Sequence, residues 1–460
     1  MYIEQLYTNC LAEAAYYIES EGEAIIIDPI RETTPYLQKL TERNAQLKYV
    51  FETHFHADFV SGHIDLANKT GAVIVYGPNA QTDYKTYSAT DGEIFKLGNI
   101  TFEVLHTPGH TLESTCYLLR DKNQKPYCVF TGDTLFVGDV GRPDLLDGVM
   151  SKDDLAAMMY QSLNQKLKVL PDDVIVYPAH GPGSACGKNI GKETWSTIGN
   201  QKQNNYYMLE TDKAKFVQVL TSGLATPPAY FFEDARINKQ GYNNVDEVIA
   251  RNSQALSVAA FKTLMQQDVL ILDTRPAATF EQAFIKGSLN IGLNGQFAVW
   301  AGTLIPITQK LILVTDAGAE TESVLRLARV GFENVLGVLS GGINAWVKAG
   351  KPVEKIKTIT PQTLKEIAAT QHIIDVRKPG EWEQGVVQHA QLISLNELGV
   401  KLESLDTSMP YAIHCAGGYR SMIAASMMHA KGFYNIVNVD GGYAKIKETG
   451  ITLTTPIVVS

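Results

Sequence analysis

Cysteine is scarce in this chain: five residues among 460, at positions 10, 116, 128, 186 and 415. So few, in an odd number, exclude a disulfide framework and read as free thiols in a reducing cytosol. No stretch reaches the roughly 18 consecutive apolar residues that a membrane span needs. The opening residues, Met1-Tyr-Ile-Glu-Gln5, have neither the basic nor the apolar segment of a secretory signal. The expectation is a cytoplasmic protein with no membrane partner. Basic runs are missing too, and the formal net charge is −9, which argues against nucleic acid. What is present is an ordinary globular composition, 45% apolar and 19% charged. The length exceeds what a single core serves, so two to four domains are expected.

Residues 1–200 alternate short strand-like runs with polar loops. Ala15–Ile18 and Ala24–Ile27 form a predicted hairpin split at Glu21-Gly22, and helices are expected over 31–43 and 64–70. Four of the strand-like runs end in a loop bearing a possible ligand: Thr53-His54, Thr107-Pro-Gly-His110, Thr131-Gly-Asp133 and Pro178-Ala-His180. The first continues as His54-Phe-His56-Ala-Asp58-Phe59, an extended spacing that aims several side chains at one point, as a divalent metal requires. Any one of these loops alone is a turn with a solvated His or Asp. Several in order, each feeding the same edge of a two-sheet sandwich, point to a metal centre.

Asp28, His54-x-His56-x-Asp58, His110, Asp133 and His180 together resemble the metallo-β-lactamase superfamily, which implies an αββα sandwich with metal at the sheet edges. Two-metal hydrolases of that superfamily, glyoxalase II among them, carry His directly after the Asp of the first motif. Phe59 stands there in this chain, and a phenyl ring has no lone pair to give, so a single-metal centre is expected. Gly141-Arg142-Pro143-Asp144 is similar to a segment of the iron-dependent persulfide dioxygenases. That resemblance implies one Fe(II) per chain on His54, His110 and Asp133, with His56, Asp58 and His180 orienting ligands or substrate. Direct ligation by His56 stays open. Arg142 and Asp144 are either a supporting ion pair or substrate contacts. Cys186, in Gly183-Ser-Ala-Cys-Gly-Lys188, is either a small buried residue or a reactive thiol whose pKa Lys188 lowers. Cys10, Cys116 and Cys128 lie in apolar strand patterns and are expected in the core.

Helical sequence runs from Trp195 to Leu220, and Thr226-Pro-Pro-Ala229 marks a break, so 226–250 is read as a partly ordered linker between a 1–225 domain and the C-terminal part of the chain. That C-terminal part repeats itself. Leu270-Ile-Leu-Asp-Thr-Arg275 returns roughly 100 residues later as Ile373-Ile-Asp-Val-Arg377, and Gly331-Phe332 returns as Gly432-Phe433. Each copy, 251–355 and 356–460, alternates β runs with amphipathic helices, the pattern of a parallel-sheet α/β domain. Both resemble rhodanese domains, although Lys445 stands in the second copy where Trp346 stands in the first.

The second copy has Ala412-Ile-His-Cys415-Ala-Gly417-Gly418-Tyr419-Arg420-Ser421. A cysteine at the head of a strand–loop–helix gathers backbone N–H groups around its sulfur, the two glycines permit the wrap, and Arg420 adds charge for an anionic sulfur substrate. Cys415 and Arg420 are the expected catalytic pair, with Gly417, Gly418 and Tyr419 as substrate contacts. The first copy reads Val314-Thr-Asp-Ala-Gly-Ala-Glu320 at that place, without a cysteine, and is expected to be inactive.

The whole chain resembles persulfide dioxygenase–sulfurtransferase fusions of sulfide detoxification. The resemblance implies that a low-molecular-weight thiol persulfide and O₂ give sulfite and thiol, and that rhodanese transfer then gives thiosulfate. A homo-oligomer is expected. The competing readings are a glyoxalase II-like thioester hydrolase, a sulfur carrier or redox sensor using Cys415, and a di-iron reductase, which His56 and the repeat do not fit.

Overall fold

A computed structural model describes residues 1–146 and 148–456. The chain divides into two compact units, the first comprising 1–248 with 328–331 and the second the rest from 249 onward. None of the described helices is long and apolar enough to cross a membrane.

The first unit is built on two six-stranded sheets. One runs in the order β1 (Tyr2–Thr8), β2 (Glu13–Ser20), β3 (Glu23–Ile27), β4 (Gln46–Phe51), β5 (Val73–Tyr76), β6 (Tyr87–Ser88). The other holds β7 (Ile94–Leu97), β8 (Ile100–His106), β9 (Thr115–Arg120), β10 (Pro126–Gly132), β11 (Ile175–Pro178) and β12 (Ser196–Thr197), in reverse spatial order. Alternation of side chains along each strand separates two cores. Tyr16, Ile18, Ile25, Ile27, Phe51 and Val75 meet Phe102, Val104, Tyr117, Leu119, Cys128 and Phe130 between the sheets. Phe51 and Tyr117 stack there with centroids 4.4 Å apart. The opposite face of the second sheet (Leu105, Cys116, Leu118, Val129, Val176) packs on helices through Met159, Leu163, Phe216 and Leu220. The αββα sandwich is as expected.

Cys116 and Cys128 are therefore core residues on opposite faces of one sheet, and burial raises the Cys116 thiol to about 11. Cys10 differs from expectation: it sits half-buried in the turn between β1 and β2, because strand β1 ends at Thr8. The segment expected as a linker, 226–250, holds the helix Tyr230–Gln240 and most of a second, Val245–Asn252. The first unit extends through Val248, since Tyr230, Phe231 and Val248 are buried.

The second unit contains two five-stranded parallel sheets of identical strand order. The first is β13 (Ala255–Leu256), β14 (Leu270–Asp273), β15 (Leu289–Asn290), β16 (Leu311–Val314) and β17 (Val335–Leu339), arranged β13-β17-β16-β14-β15. The second is β18 (Lys357–Ile359), β19 (His372–Asp375), β21 (Gln391–Leu392), β22 (Tyr411–His414) and β23 (Ile436–Val439), arranged β18-β23-β22-β19-β21. β20 (Val386–Val387) pairs with β24 (Leu453–Thr454) in a separate ribbon. The repeated Asp-x-Arg forms a buried ion pair in each copy, Asp273 with Arg275 at 2.5 Å and Asp375 with Arg377 at 2.6 Å. Trp346 closes the first core against Phe261. In the second copy the counterpart of Trp346 is Ile446 and not Lys445 as expected, since each lies four residues after the matched Gly342 and Gly442, and Ile446 is buried.

Candidate metal centre and cysteine loop

Each loop that the sequence singles out leaves the end of a strand: His54 after β4, His110 after β8, Asp133 after β10 and His180 after β11. All four side chains are buried. Ligand atoms of His54, His110 and Asp133 lie within 4.8 Å of one another. His110 Nε2 is 3.4 Å from Asp133 Oδ2, and His54 Nε2 is 3.9 Å from the same oxygen.

The surroundings fix which nitrogen each imidazole presents. His110 Nδ1 donates to the Arg142 carbonyl at 2.7 Å. Thr53 gives its hydroxyl proton to Asp28 at 2.8 Å and so accepts from His54 Nδ1 at 2.9 Å. Both residues therefore turn a bare Nε2 lone pair toward Asp133, the arrangement that second partners impose on ligating histidines. Gly141 lets the Arg142 segment approach. A Cβ at that position would lie 2.1 Å from Asp133 O and 2.9 Å from His110 Nδ1. Burial, followed by the neighbouring His56, His110 and His180, holds the His54 pKa well below its ordinary value, so it is a neutral donor.

Polar atoms buried here have no hydrogen-bond partner among the described residues: His110 Nε2, both Asp133 oxygens, His180 Nε2 and Asp58 Oδ1. Leaving such groups unpaired costs about 1–3 kcal/mol each. A cation ligated by His54, His110 and Asp133 satisfies His110 Nε2 and Asp133 Oδ2, so these three residues fit a metal ion.

His56 faces elsewhere. Its Nε2 lies 3.1 Å from Asp28 and 3.4 Å from Glu52. Burial opposes its charge, but the two carboxylates prevail and raise its pKa well above the ordinary value. Phe59 stacks on it, centroids 4.4 Å apart. His56 thus belongs to a buried carboxylate pair beside the centre and is not grouped with His54, His110 and Asp133.

Arg142 and Asp144 form a two-pronged ion pair at 2.6 and 2.8 Å. The remaining guanidinium contacts go to the carbonyls of Ala185 and Ala225, and Arg142 N donates to Cys186 O at 2.9 Å. This segment is a brace for the Cys186 loop. Lys188 does not serve the thiol: its Nζ donates to the carbonyls of Val219 and Ser222. Burial, with Asp58 and Asp133, instead pushes the Cys186 thiol well above its ordinary pKa. Of the two readings of Cys186, its burial agrees with the small buried residue, and Lys188 is turned away from the thiol.

Sequence reasoning missed Asn238, on the helix Tyr230–Gln240. Its Nδ2 donates to the carbonyls of His56 (2.8 Å) and Phe59 (2.7 Å), and its Oδ1 accepts from Ser61 N at 2.9 Å. One side chain thereby pins the backbone of the ligand loop. The nearest signal in the sequence is the apolar run Tyr230-Phe-Phe232, which is too apolar for a solvated linker. Asn238→Ala is expected to cost about 2–4 kcal/mol, measured by denaturant unfolding, because three buried backbone groups lose their partner. Metal affinity should fall about 10–100-fold.

In the second unit, β22 ends at His414 and Cys415 opens the loop into the helix Tyr419–Ala430. Cys415 is 1% exposed. Gly418 N donates to its Sγ at 3.1 Å, and Ser421 Oγ stands at 3.6 Å. Gly418 adopts φ +103°, and nothing lies within 4 Å of a Cβ built on Gly417. Arg420 is held by Glu381 through two bonds of 2.6 and 2.7 Å, so its charge is shared before any anion arrives. Tyr419 donates its hydroxyl proton to the Gly292 carbonyl of the first copy at 2.7 Å. Strand register aligns Val314 on Asp273 as His414 on Asp375, which puts Thr315 where Cys415 stands.

Residues 8–180 match the model of the metallo-beta-lactamase superfamily. A metallo-beta-lactamase from Staphylococcus aureus subsp. aureus COL is 32% identical, spans 73% of this chain and 98% of its own, and superposes with a TM-score of 0.66. The chain belongs to the metallo-β-lactamase superfamily. Residues 257–349 and 360–449 match the rhodanese-like domain, so a metallo-β-lactamase domain is followed by two rhodanese-like domains. ETHE1 from Myxococcus xanthus is 30% identical over 52% of this chain and 98% of its own, with a TM-score of 0.45. A rhodanese-related protein from Thermoplasma volcanium is 31% identical over 22% of this chain and 99% of its own, with a TM-score of 0.21. Both families are enzymatic, and their combination with the buried His/Asp set supports a metal cofactor and a role in sulfur metabolism.

Proposed function

We propose that this chain is an Fe(II)-dependent persulfide dioxygenase with its own sulfurtransferase, acting in sulfide detoxification in the cytoplasm. The overall oxidation is RSSH + O₂ + H₂O → RSH + SO₃²⁻ + 2H⁺, where RSSH is a low-molecular-weight thiol persulfide. The observation that carries the reading is the separation of His56 from the other ligands. Two imidazoles and one carboxylate remain, the set of an oxygenase that keeps positions open for substrate and O₂. Iron on His54, His110 and Asp133 supplies the O₂ activation.

The protein's own part is positional. Arg142 O and Thr53 hold the imidazoles in one tautomer, and Asp133 supplies the negative charge. In the second rhodanese-like domain the Cys415 thiolate attacks the outer sulfur of a persulfide. The S–S bond breaks, RSH leaves, and Cys415 carries the sulfane sulfur. Sulfite then attacks that sulfur, giving thiosulfate and restoring the thiol. Backbone N–H of Gly418 and the helix N-terminus stabilise the sulfur anion at both steps. The first rhodanese-like domain, lacking the thiol, supports Tyr419 and the loop.

Oxygen uptake by the anaerobically purified, iron-loaded chain over a panel of persulfides tests the oxygenase. The expected result is about one iron per chain at the oxygenase centre and persulfide-dependent O₂ consumption. Thioester cleavage without O₂ uptake would return the chain to the hydrolases.

A further inference from the structure

The guanidinium that the Cys415 loop would offer an anion is already compensated. Arg420 donates from Nη1 to Glu381 Oε2 at 2.6 Å and from Nη2 to Glu381 Oε1 at 2.7 Å. Such a two-pronged pair engages both terminal nitrogens and is stronger than a single neutral hydrogen bond. Glu381 is held in place independently of any ligand. It lies in the one-turn helix Pro379–Trp382, its Oε2 accepts from Lys378 N at 2.9 Å, and its carbonyl accepts from Arg377 Nη1 at 3.0 Å. The Arg420 and Glu381 side chains are 15% and 32% exposed, so the compensating carboxylate is open to the same solvent as the guanidinium.

No other cation of this domain takes over the role. Arg377 is buried on Asp375 at 2.6 Å and on the Gly385 carbonyl at 2.8 Å. Lys378 is exposed, where water and salt screen its charge. What remains at the sulfur is neutral: the Gly418 N–H, 3.1 Å from Cys415 Sγ, and the first turn of the helix Tyr419–Ala430. Backbone dipoles of that kind suit one negative charge on sulfur. They do not balance two.

We propose that Glu381 is a specificity residue: by compensating Arg420 it tunes the Cys415 loop to sulfur donors with a single negative charge at the reacting end, the thiol persulfides, and against dianions such as thiosulfate. The inference rests on the sulfur-transfer reading of Cys415 and adds which donors that thiol accepts. Both donors load it by one exchange. The Cys415 thiolate attacks the outer sulfur, the S–S bond breaks with its electron pair on the leaving group, and Cys415 becomes a persulfide. From RSS⁻, with one proton taken up from solvent, RSH leaves; from thiosulfate, SO₃²⁻ leaves. A dianion facing Glu381 loses the attraction that a bare guanidinium would give it. For the same reason thiosulfate formed from sulfite is released and does not reload the thiol.

The test loads the reduced full-length chain, under argon, from glutathione persulfide or from thiosulfate. Mass spectrometry follows the persulfidated chain, with Cys415→Ser as the blank. In Glu381→Gln the thiosulfate concentration for half-maximal loading should fall about tenfold or more, and that for the persulfide should change by about threefold or less. The effect should lie in half-saturation and not in the plateau rate. Glu381→Asp keeps the charge and should keep the wild-type preference. A merely structural role would move both donors alike, so equal shifts overturn the proposal, as does an unchanged thiosulfate value. A second measurement needs no variant and stands even where Glu381→Gln fails to fold. At half-saturating persulfide, a roughly tenfold excess of thiosulfate should leave the release of glutathione by the wild-type chain undiminished. Half-inhibition at equal concentrations of the two donors overturns the proposal. Absence of Cys415-dependent loading from either donor would sink the sulfur-transfer reading and the proposal together, whereas loading with an unchanged preference in Glu381→Gln sinks the proposal alone.

Discussion

Cys415→Ser should abolish sulfur transfer and leave O₂ consumption intact, so that the product of persulfide oxidation shifts from thiosulfate to sulfite. The hydroxyl replaces the thiol with little change in volume, and the donors around it, Gly418 N and Ser421 Oγ, remain. What is lost is the nucleophile. A serine at neutral pH, without an adjacent base, neither attacks a persulfide nor holds sulfane sulfur. The loss in sulfur transfer is expected to be on the order of 10³-fold or more, as for removal of other nucleophiles. No other cysteine can substitute within the repeats, since none lies between Cys186 and Cys415. Ion chromatography of sulfite and thiosulfate, run beside an oxygen electrode, reads both quantities from one sample. Unchanged thiosulfate would end the division of labour between the domains.

Asp133→Asn should remove O₂ consumption entirely and strip the iron. Asp133 is the single anionic donor beside His54 and His110, at 3.9 and 3.4 Å. The amide is isosteric but neutral, and a hard divalent ion strongly prefers carboxylate oxygen. Replacing a group that merely orients a ligand typically costs 10–100-fold in affinity, and loss of a ligand itself should cost about 10³-fold or more. His56→Asn provides the contrast. Because His56 pairs with Asp28 and Glu52, its loss leaves buried carboxylates without their counter-charge and should destabilise the first unit by about 3–5 kcal/mol. Iron should nevertheless be retained near one per chain at a protein concentration well above Kd. Iron analysis of both variants alongside urea unfolding separates the roles. Loss of iron from His56→Asn at wild-type stability would make His56 a ligand.

A good deal was legible in the sequence, and particular residues say why. Strands β4, β8, β10 and β11 were visible as short apolar runs, and each ends in its polar loop within a few residues. Cys415, the glycines and the helix after them are one contiguous segment, so the loop was readable as a local motif. The two rhodanese-like copies share Asp-x-Arg and Gly-Phe roughly 100 residues apart, and their sheets have the same strand order. These features lie within windows of a few tens of residues, where periodicity and turn chemistry operate.

Tertiary structure decided the rest. Cys186 was ambiguous on its own loop, and only the fold shows it buried beside Asp58, which arrives from a distant loop after β4. Lys188 is its near neighbour in sequence but turns to Val219 and Ser222. Asn238 reaches the ligand loop from a helix some 180 positions further on, in a stretch whose composition read as a linker. The tautomers of His54, His110 and His180 depend on Thr53, on Arg142 O and on Ala12 O, partners set by how the sheets stack. Sequence alone determined the element types, the domain order and the kinds of ligand, because those are matters of local pattern and residue chemistry. Which ligands share a metal was left to the packing of the two sheets, since side-chain convergence depends on distances that no sequence window contains.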